Sequence, residues 1–330
     1  MATTTPRTPT SEDARVERIV EEDQLGPLGI RASALHDPVD LRVRLLGEFD
    51  DAVAAAKASA AMGEHGSTTA VHDSRKALRR ARAVLSMVSS ALPKSEQRAV
   101  RAALQEARRS LSTVRDHAVA PETLGALELG DEERDTAKRV LDNAAEAIPA
   151  LTEIRQLLGE AAARAAAQAE ALAASLPQEL GWGVVAGGIA AVYGEARDAR
   201  RRAKHSRPWF HTWRRRSKEL VYQLDFVAAY AGARTLAIRA ELDAITDQLG
   251  PAVDLVMLRD FVQTHAQGLP PKDVERLRAE LDRQLEDRMK DARKAGRDAF
   301  SQKPKKFLRR LEKAVKRDLT PADENGHVDP

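Results

Sequence analysis

A basic helical pattern that occurs twice, 139 residues apart, constrains this chain more than any other feature. The first copy is His72-x-x-Arg75-Lys76-x-x-Arg79 and the second is His211-x-x-Arg214-Arg215-x-x-Lys218. In each, cations follow the histidine at +3, +4 and +7, the spacing that stacks side chains on one face of an α-helix. The correspondence runs past the motif. Leu85 and Val88 match Leu224 and Val227 at the same offset. Leu104, Leu111 and Asp116 match Leu242, Leu249 and Asp254 at an offset of 138, and Gly130 and Gly268 occupy equivalent breaks. A chain patterned this way is expected to form the same series of helical hairpins twice.

Composition points the same way. Ala, Leu, Arg and Glu dominate and aromatic residues make up only 4%, a mixture of strong helix formers with few strand formers. The expected fold is all-α: two pseudo-symmetric antiparallel helical bundles from an internal duplication, with a central basic groove or pore. Pro and Gly punctuate helices expected near 39–62, 68–91, 95–113, 117–128, 132–146, 149–176, 184–204, 209–230, 233–248, 252–266, 271–296 and 304–318. Breaks are expected at Pro93, Pro121, Pro149, Pro177, Pro208, Pro251, Pro270-Pro271 and Pro304. The resulting organisation is a flexible N-terminal tail over 1–37, a first bundle over 38–180, a second over 181–319 and a disordered tail over 320–330.

Each motif helix divides cleanly on a helical wheel. With His72 at zero, Arg75, Lys76 and Arg79 fall within about 60° of it, flanked by Arg80 and Arg82. Ala77, Leu78, Ala81, Val84, Leu85 and Val88 take the other side. In the second copy His211, Arg214, Arg215, Lys218 and Tyr222 share a face, with Trp213, Leu220, Leu224 and Val227 behind. The preceding helix adds Tyr193, Arg197, Arg200 and Lys204 on one further face.

A solvated surface helix would also be rich in Lys and Arg. Three observations weigh against that plainer reading. Surface helices normally alternate sign at i,i+4 because like charges repel, whereas these stripes are almost entirely positive. The pattern recurs at the same place in both halves, and a third basic face lies beside the second copy. Cations so crowded lack partners of their own and call for a multivalent anion. Arg supplies planar bidentate contacts to phosphate oxygens and Lys a mobile point charge. His72 and His211 serve either as donors or charged groups beside phosphate, or as packing and capping residues near a helix start.

Net charge is only +3, so the basic character is local: residues 197–218 hold ten Arg or Lys against Asp198 alone. The chain contains no cysteine, which excludes disulfides, thiol chemistry and thiolate-bound zinc. The N-terminus lacks the apolar core of a signal peptide. The longest apolar run, Gly181–Gly194, is too short and Gly-rich to cross a bilayer. A cytoplasmic location with no membrane partner is expected.

The paired motif H-x-x-R-[KR]-x-x-[RK], each copy followed by a Leu-rich hairpin ending in Val-Arg-Asp or Val-Asp, resembles the conserved histidine α-helical domain, CHAD. The resemblance covers most of residues 40–318, and Tyr193–Ala203 resembles the family's segment before its second motif. It implies two helical bundles around a basic groove or pore, binding of inorganic polyphosphate and association with polyphosphate granules. By motif position the binding residues it implies are His72, Arg75, Lys76, Arg79, His211, Arg214, Arg215 and Lys218, then Arg197 and Arg200, with Arg82 and Tyr222 at the rim. Two departures stand out. The leading residues are too few for the triphosphate-tunnel domain to which many members are fused, and no E-x-E-x-K motif is present. Val253 stands where the first half has Arg115, so the role of Arg115 is not duplicated, while Asp116 and Asp254 are expected to cap or orient neighbours.

The expected function is therefore non-enzymatic binding of inorganic polyphosphate, with no cofactor and no metal. Nucleic acid is the weaker alternative partner, because base recognition calls for aromatic platforms and most of Trp209, Phe210, Trp213 and Tyr222 belongs to the core side. No H-E-x-x-H, P-loop or G-x-S-x-G motif occurs to support an enzyme. The oligomeric state is not written in the sequence.

Overall fold

The computed structural model describes residues 35, 37–61, 67–203 and 206–320. Within them run eleven α-helices and no strand. They are α1 (Pro38–Ala60), α2 (Ser67–Val88), α3 (Lys94–Ser110), α4 (Ser112–Gly125), α5 (Asp131–Ala145) and α6 (Leu151–Ser175), then α7 (Trp182–Arg202), α8 (Arg207–Tyr230), α9 (Ala233–His265), α10 (Pro271–Ala299) and α11 (Pro304–Leu319). The all-α expectation holds. The expected tails fall largely on residues outside this description, as does Lys204. Leu35 and Asp37, assigned above to the tail, belong to the folded body: Leu35 is fully buried, and the Asp37 carboxylate accepts from the N–H groups of Val39 and Asp40 at 2.8 and 3.1 Å, a helix N-cap.

Prolines mark helix starts more often than breaks. Pro38, Pro208, Pro271 and Pro304 all sit in the first turn of their helices, where a missing N–H costs nothing and the fixed φ helps. Two expected breaks are corrected. Pro121 lies inside α4 and Pro251 inside α9, so the segments expected at 233–248 and 252–266 are one helix of 33 residues. Burial explains why α9 survives its proline: Leu249, Ala252, Val253 and Leu255 are at most 2% exposed, so tertiary packing on both sides of the ring outweighs the lost hydrogen bond.

In the first half α1, α2, α3 and α6 pack together, and in the second α7, α8, α9 and α11 do so. The halves interlock as well, since α4 and α5 lie against α9, α5 also meets α10, and α2 meets α7 and α8. One apolar cluster runs from Leu35 to Val315 through both. At the α2–α8 crossing, Gln223 donates to the Ser86 hydroxyl at 2.8 Å. Elsewhere Asn143 donates to the carbonyls of His265 and Gln267, both at 3.0 Å. The N-terminus of α9 is capped from α11: Asp318 accepts from the Arg234 and Thr235 N–H groups at 3.1 and 2.9 Å, next to Gly232 at φ 143°.

The α2–α7 contact is tight enough to distinguish two adjacent glycines. A methyl group on Gly188 would overlap the Met87 backbone, whereas one on Gly187 meets nothing within 4 Å. Gly187→Ala should therefore stabilise the protein by about 0.5–1 kcal/mol through helix propensity. Gly188→Ala should destabilise it by about 1–3 kcal/mol by forcing the halves apart. Chemical denaturation of the two variants checks both signs.

Candidate anion-binding site

The two motif helices are held by their apolar backs. On α2, Val71, Ser74, Leu78, Ala81 and Leu85 are at most 1% exposed, and on α8 the same is true of Phe210, Trp213, Ser217, Leu220 and Leu224. This is the division expected from the helical wheel. It leaves the cationic faces of α2 and α8 to converge at their crossing.

There, a pocket of about 100 Å³ is lined by Arg79, Arg82 and Arg108 from the first half and by His211, Arg214, Arg215, Lys218, Glu219 and Tyr222 from the second. Arg79, Arg82, Arg108, Arg214 and Arg215 make no ion pair with any described carboxylate, and the Nε groups of Arg79, Arg108 and Arg214 are buried without a hydrogen-bond partner. Their charges act on one another. Burial lowers the pKa of Arg214, which is further depressed by Arg79 and Arg115 although Asp254 opposes this. Burial brings Arg82 down to about 10, with Glu219 opposing and Arg108 and Arg215 adding to the fall. Burial, then Arg79 and Arg215, lowers Arg108. These shifts record chiefly the burial of the guanidinium groups, to which their mutual repulsion adds.

Other residues singled out in the sequence behave differently. Arg75 does not line the pocket. It donates to the Arg108 carbonyl at 2.9 Å and to Ser112 Oγ at 3.3 Å, tying α2 to the α3–α4 junction, and burial with neighbouring Arg108 and Arg115 brings it to about 9. His72 and Lys76 lie on the same face further along α2 and are not among the pocket's lining residues. Burial, then Arg79, lowers the pKa of His72, and burial, then Arg215 and Arg214, lowers that of His211. Tyr222 lines the pocket with only 5% of its surface exposed.

Three expectations need correction. Lys218 is not partnerless: it pairs with Asp243 at 2.9 Å, inside a network in which Arg239 also binds Asp243 and Asp225, at 2.8 and 2.6 Å. Tyr193 is fully buried and donates to the carbonyls of Ala299 and Gln302, so it anchors the core and does not join a basic face. Arg200 does not meet the motif pocket but lies at a separate concavity against α10, which removes it from the twin-motif site, and Arg197 on the next turn of α7 is not a lining residue of the motif pocket either.

The sequence reading also missed residues. Arg108, seven residues after Arg101 on α3, belongs to the pocket, and the same i,i+7 spacing that marked the motifs was available to signal it. Glu219 enters the pocket as the one carboxylate among its described lining residues, held by Arg216 at 2.7 Å, while Arg216 also binds Glu195 at 2.6 Å. Arg115 has a larger role than its unpaired position suggested. Its two terminal nitrogens bind Asp116 at 3.2 Å and Asp254 at 3.0 Å, so one arginine clasps the matching acids of both halves. Burial raises the pKa of Asp116, partly offset by Arg115 and then Arg75.

Residues 44–263 match the CHAD domain family. The chain belongs to the CHAD family. Among solved structures, the CHAD domain from the plant Ricinus communis is similar over 86% of this chain and 93% of that one, with a TM-score of 0.53 at 17% sequence identity. At that identity the likeness speaks for the fold. No curated protein has significant sequence similarity. The matched segment of this CHAD chain contains both motifs, the Arg115 clasp and the pocket, and stops at the end of α9, before α10 and α11. Among the described residues no cluster of three or more His, Asp or Glu is arranged to hold a metal ion, and no helix is long and apolar enough to cross a membrane.

The unpaired guanidinium groups and the clasp should respond oppositely to mutation. Arg214→Met removes one of several repelling charges and should raise the stability of the free protein by about 1 kcal/mol. Arg115→Met leaves Asp116 and Asp254 without their shared cation and should lower it by about 2 kcal/mol or more. Thermal unfolding in low salt is the measurement.

Proposed function

We propose that this chain binds inorganic polyphosphate, without turning it over, in the pocket where α2 and α8 cross, and that this binding targets it to polyphosphate granules in the cytoplasm. The observation that carries the reading is the convergence of five arginines, none paired with a described carboxylate, from three helices of both halves. A chain of phosphates relieves their mutual repulsion, accepts bidentate hydrogen bonds from several guanidinium groups and releases its counterions. The family resemblance supports the same ligand class.

The pocket's other groups fit binding better than catalysis. The one carboxylate among its described lining residues, Glu219, is already engaged by Arg216 and is not free to activate water or a phosphate. They also favour phosphate over bases. Tyr222 is too buried to offer a stacking face, and Trp209, half-buried, is covered by the Arg202 guanidinium at 4.4 Å, whereas single-stranded nucleic acid is usually held on exposed rings.

Calorimetry with long-chain polyphosphate at physiological salt tests this. Each charged hydrogen bond contributes about 1.5–3 kcal/mol, so Arg79→Glu with Arg214→Glu should weaken binding by at least ~100-fold and flatten the dependence of log K on log salt by ~2. Unchanged affinity in the double variant sinks the proposal, as does displacement of polyphosphate by DNA or RNA at equal phosphate concentration.

The histidines give a pH signature. In the free protein burial and nearby arginines hold His72 and His211 below 6.5, so the unfolded chain takes up their protons first and folded stability falls as pH drops through 6.5. A bound polyanion reverses the local field and raises both pKa values. Polyphosphate should therefore bind with proton uptake and more tightly as pH falls from ~7.5 to ~6. Calorimetry in two buffers of different ionisation enthalpy reads the proton count, and no uptake would place both imidazoles outside the ligand's field.

A further inference from the structure

A second cationic surface lies behind α8, separated from the motif pocket by that helix's own core residues. Trp213, on the apolar side of α8, packs so closely on Gly296 of α10 that a side chain there would overlap the indole, and Arg200 of α7 approaches the same point to 3.5 Å. On the far side of this packing, a concavity of about 780 Å³ opens between Arg200 and the last turns of α10, lined by Lys290, Arg293, Lys294 and Arg297, with Asp291 as its acidic member. Arg293 is committed to the Ala203 carbonyl at 3.1 and 3.3 Å. The others are not so engaged: Arg200, Lys290, Lys294 and Arg297 form no ion pair with any described carboxylate, and the Nε groups of Arg200 and of Arg197, one turn earlier on α7, are buried without a partner.

A second basic concavity lies on the next helix, α11. Tyr193 donates to the carbonyls of Ala299 and Gln302, which ties the α10–α11 turn to α7 at a residue about 10 Å of helix rise before Arg200. Around that turn this concavity, of about 500 Å³, is lined by Lys303, Lys305, Lys306 and Arg309. The rings beneath, Tyr193, Phe300 and Phe307, are at most 2% exposed. Among the described residues the surface therefore offers charge and N–H donors, while the rings beneath it are too buried for a base to stack on, which suits a bare phosphate chain.

We infer that the Arg200–Lys294–Arg297 surface and the basic concavity on α11 form a second site for a linear phosphate chain, so that one protein molecule holds two chains, or two stretches of one chain, at once. This inference rests on the polyphosphate reading of the motif pocket. Two sites on one rigid body convert the second binding event into an intramolecular one on a long chain, and they cross-link separate chains.

The test uses the full chain in three forms: wild type, an outer variant (Lys290→Glu, Lys294→Glu, Arg297→Glu) and an inner variant (Arg79→Glu, Arg214→Glu). Sodium tripolyphosphate is too short to span both sites, so calorimetry should count two per wild-type molecule and one per molecule of either variant. With long-chain polyphosphate, the wild type should produce turbidity by cross-linking. The outer variant should still bind, roughly tenfold or more weakly, since exposed charge contacts are individually small, and should stay clear. A second outer variant, Lys303→Glu with Lys306→Glu, should reproduce the loss of turbidity, with circular dichroism confirming the fold of each. Wild-type stoichiometry and turbidity in both outer variants overturn the inference, as does an outer surface that prefers duplex DNA to polyphosphate at equal phosphate concentration. Failure of the motif-pocket reading shows separately, as an inner variant that keeps both tripolyphosphates.

Discussion

Burial of the apolar stripes of α2 and α8 against one continuous core is the interaction on which the rest depends. Leu78, Leu85, Trp213, Leu220 and Leu224 are each at most 1% exposed, and burying a side chain of that size contributes about 1.5–3 kcal/mol. Repulsion between two partly solvated cations is on the order of 1 kcal/mol. The apolar term therefore decides how the helices sit, and the arginines are brought together as a consequence. No anion is needed to build the site; its formation is secured by residues that no ligand touches.

The Arg115 clasp shows how the two halves use a resource only once. A strict repeat would place a second arginine at Val253, but Asp116 and Asp254 already approach the same point from α4 and α9. Two guanidinium groups there would repel each other beside a region that is already positive. One arginine with two donor edges satisfies both acids, and Val253, only 1% exposed, instead contributes to the core. The departure from sequence symmetry is what a shared centre requires.

Much of this was legible in the sequence, for reasons that the residues make plain. Helix period sorts Leu85 from Arg79 without knowledge of tertiary structure, because 3.6 residues per turn decides the face and hydrophobicity decides which face is inward. The same logic fails at Pro251, where a local rule met packing on both sides of the ring, and at Tyr193, where a tyrosine spaced with Arg197 and Arg200 belongs to an aromatic stack with Phe307, 4.0 Å between ring centres. It fails again at Lys218. Spacing gives the face on which a lysine lies, but only the fold brings Asp243 from the next helix to meet it.

Pairing, rather than position on the stripe, separates structural cations from those free to meet a ligand. Lys218, Arg216 and Arg115 have carboxylates and hold α8 to α9, α8 to α7 and α4 to α9. Arg79, Arg82, Arg108, Arg214 and Arg215 have none among the described residues. A single small anion would meet only the few of these nearest to it, and would leave the others repelling across the same pocket. The free energy recovered grows with the number of unpaired guanidinium groups touched, and these come from α2, α3 and α8. For the proposed ligand that geometry would reward length, since each further negative group along a flexible chain could reach another of these arginines without paying the entropy of a new association. On the proposed function, selection for a polymer would follow from leaving these five side chains without a described carboxylate, with no need for the pocket to read any feature of the polymer beyond its spaced charge.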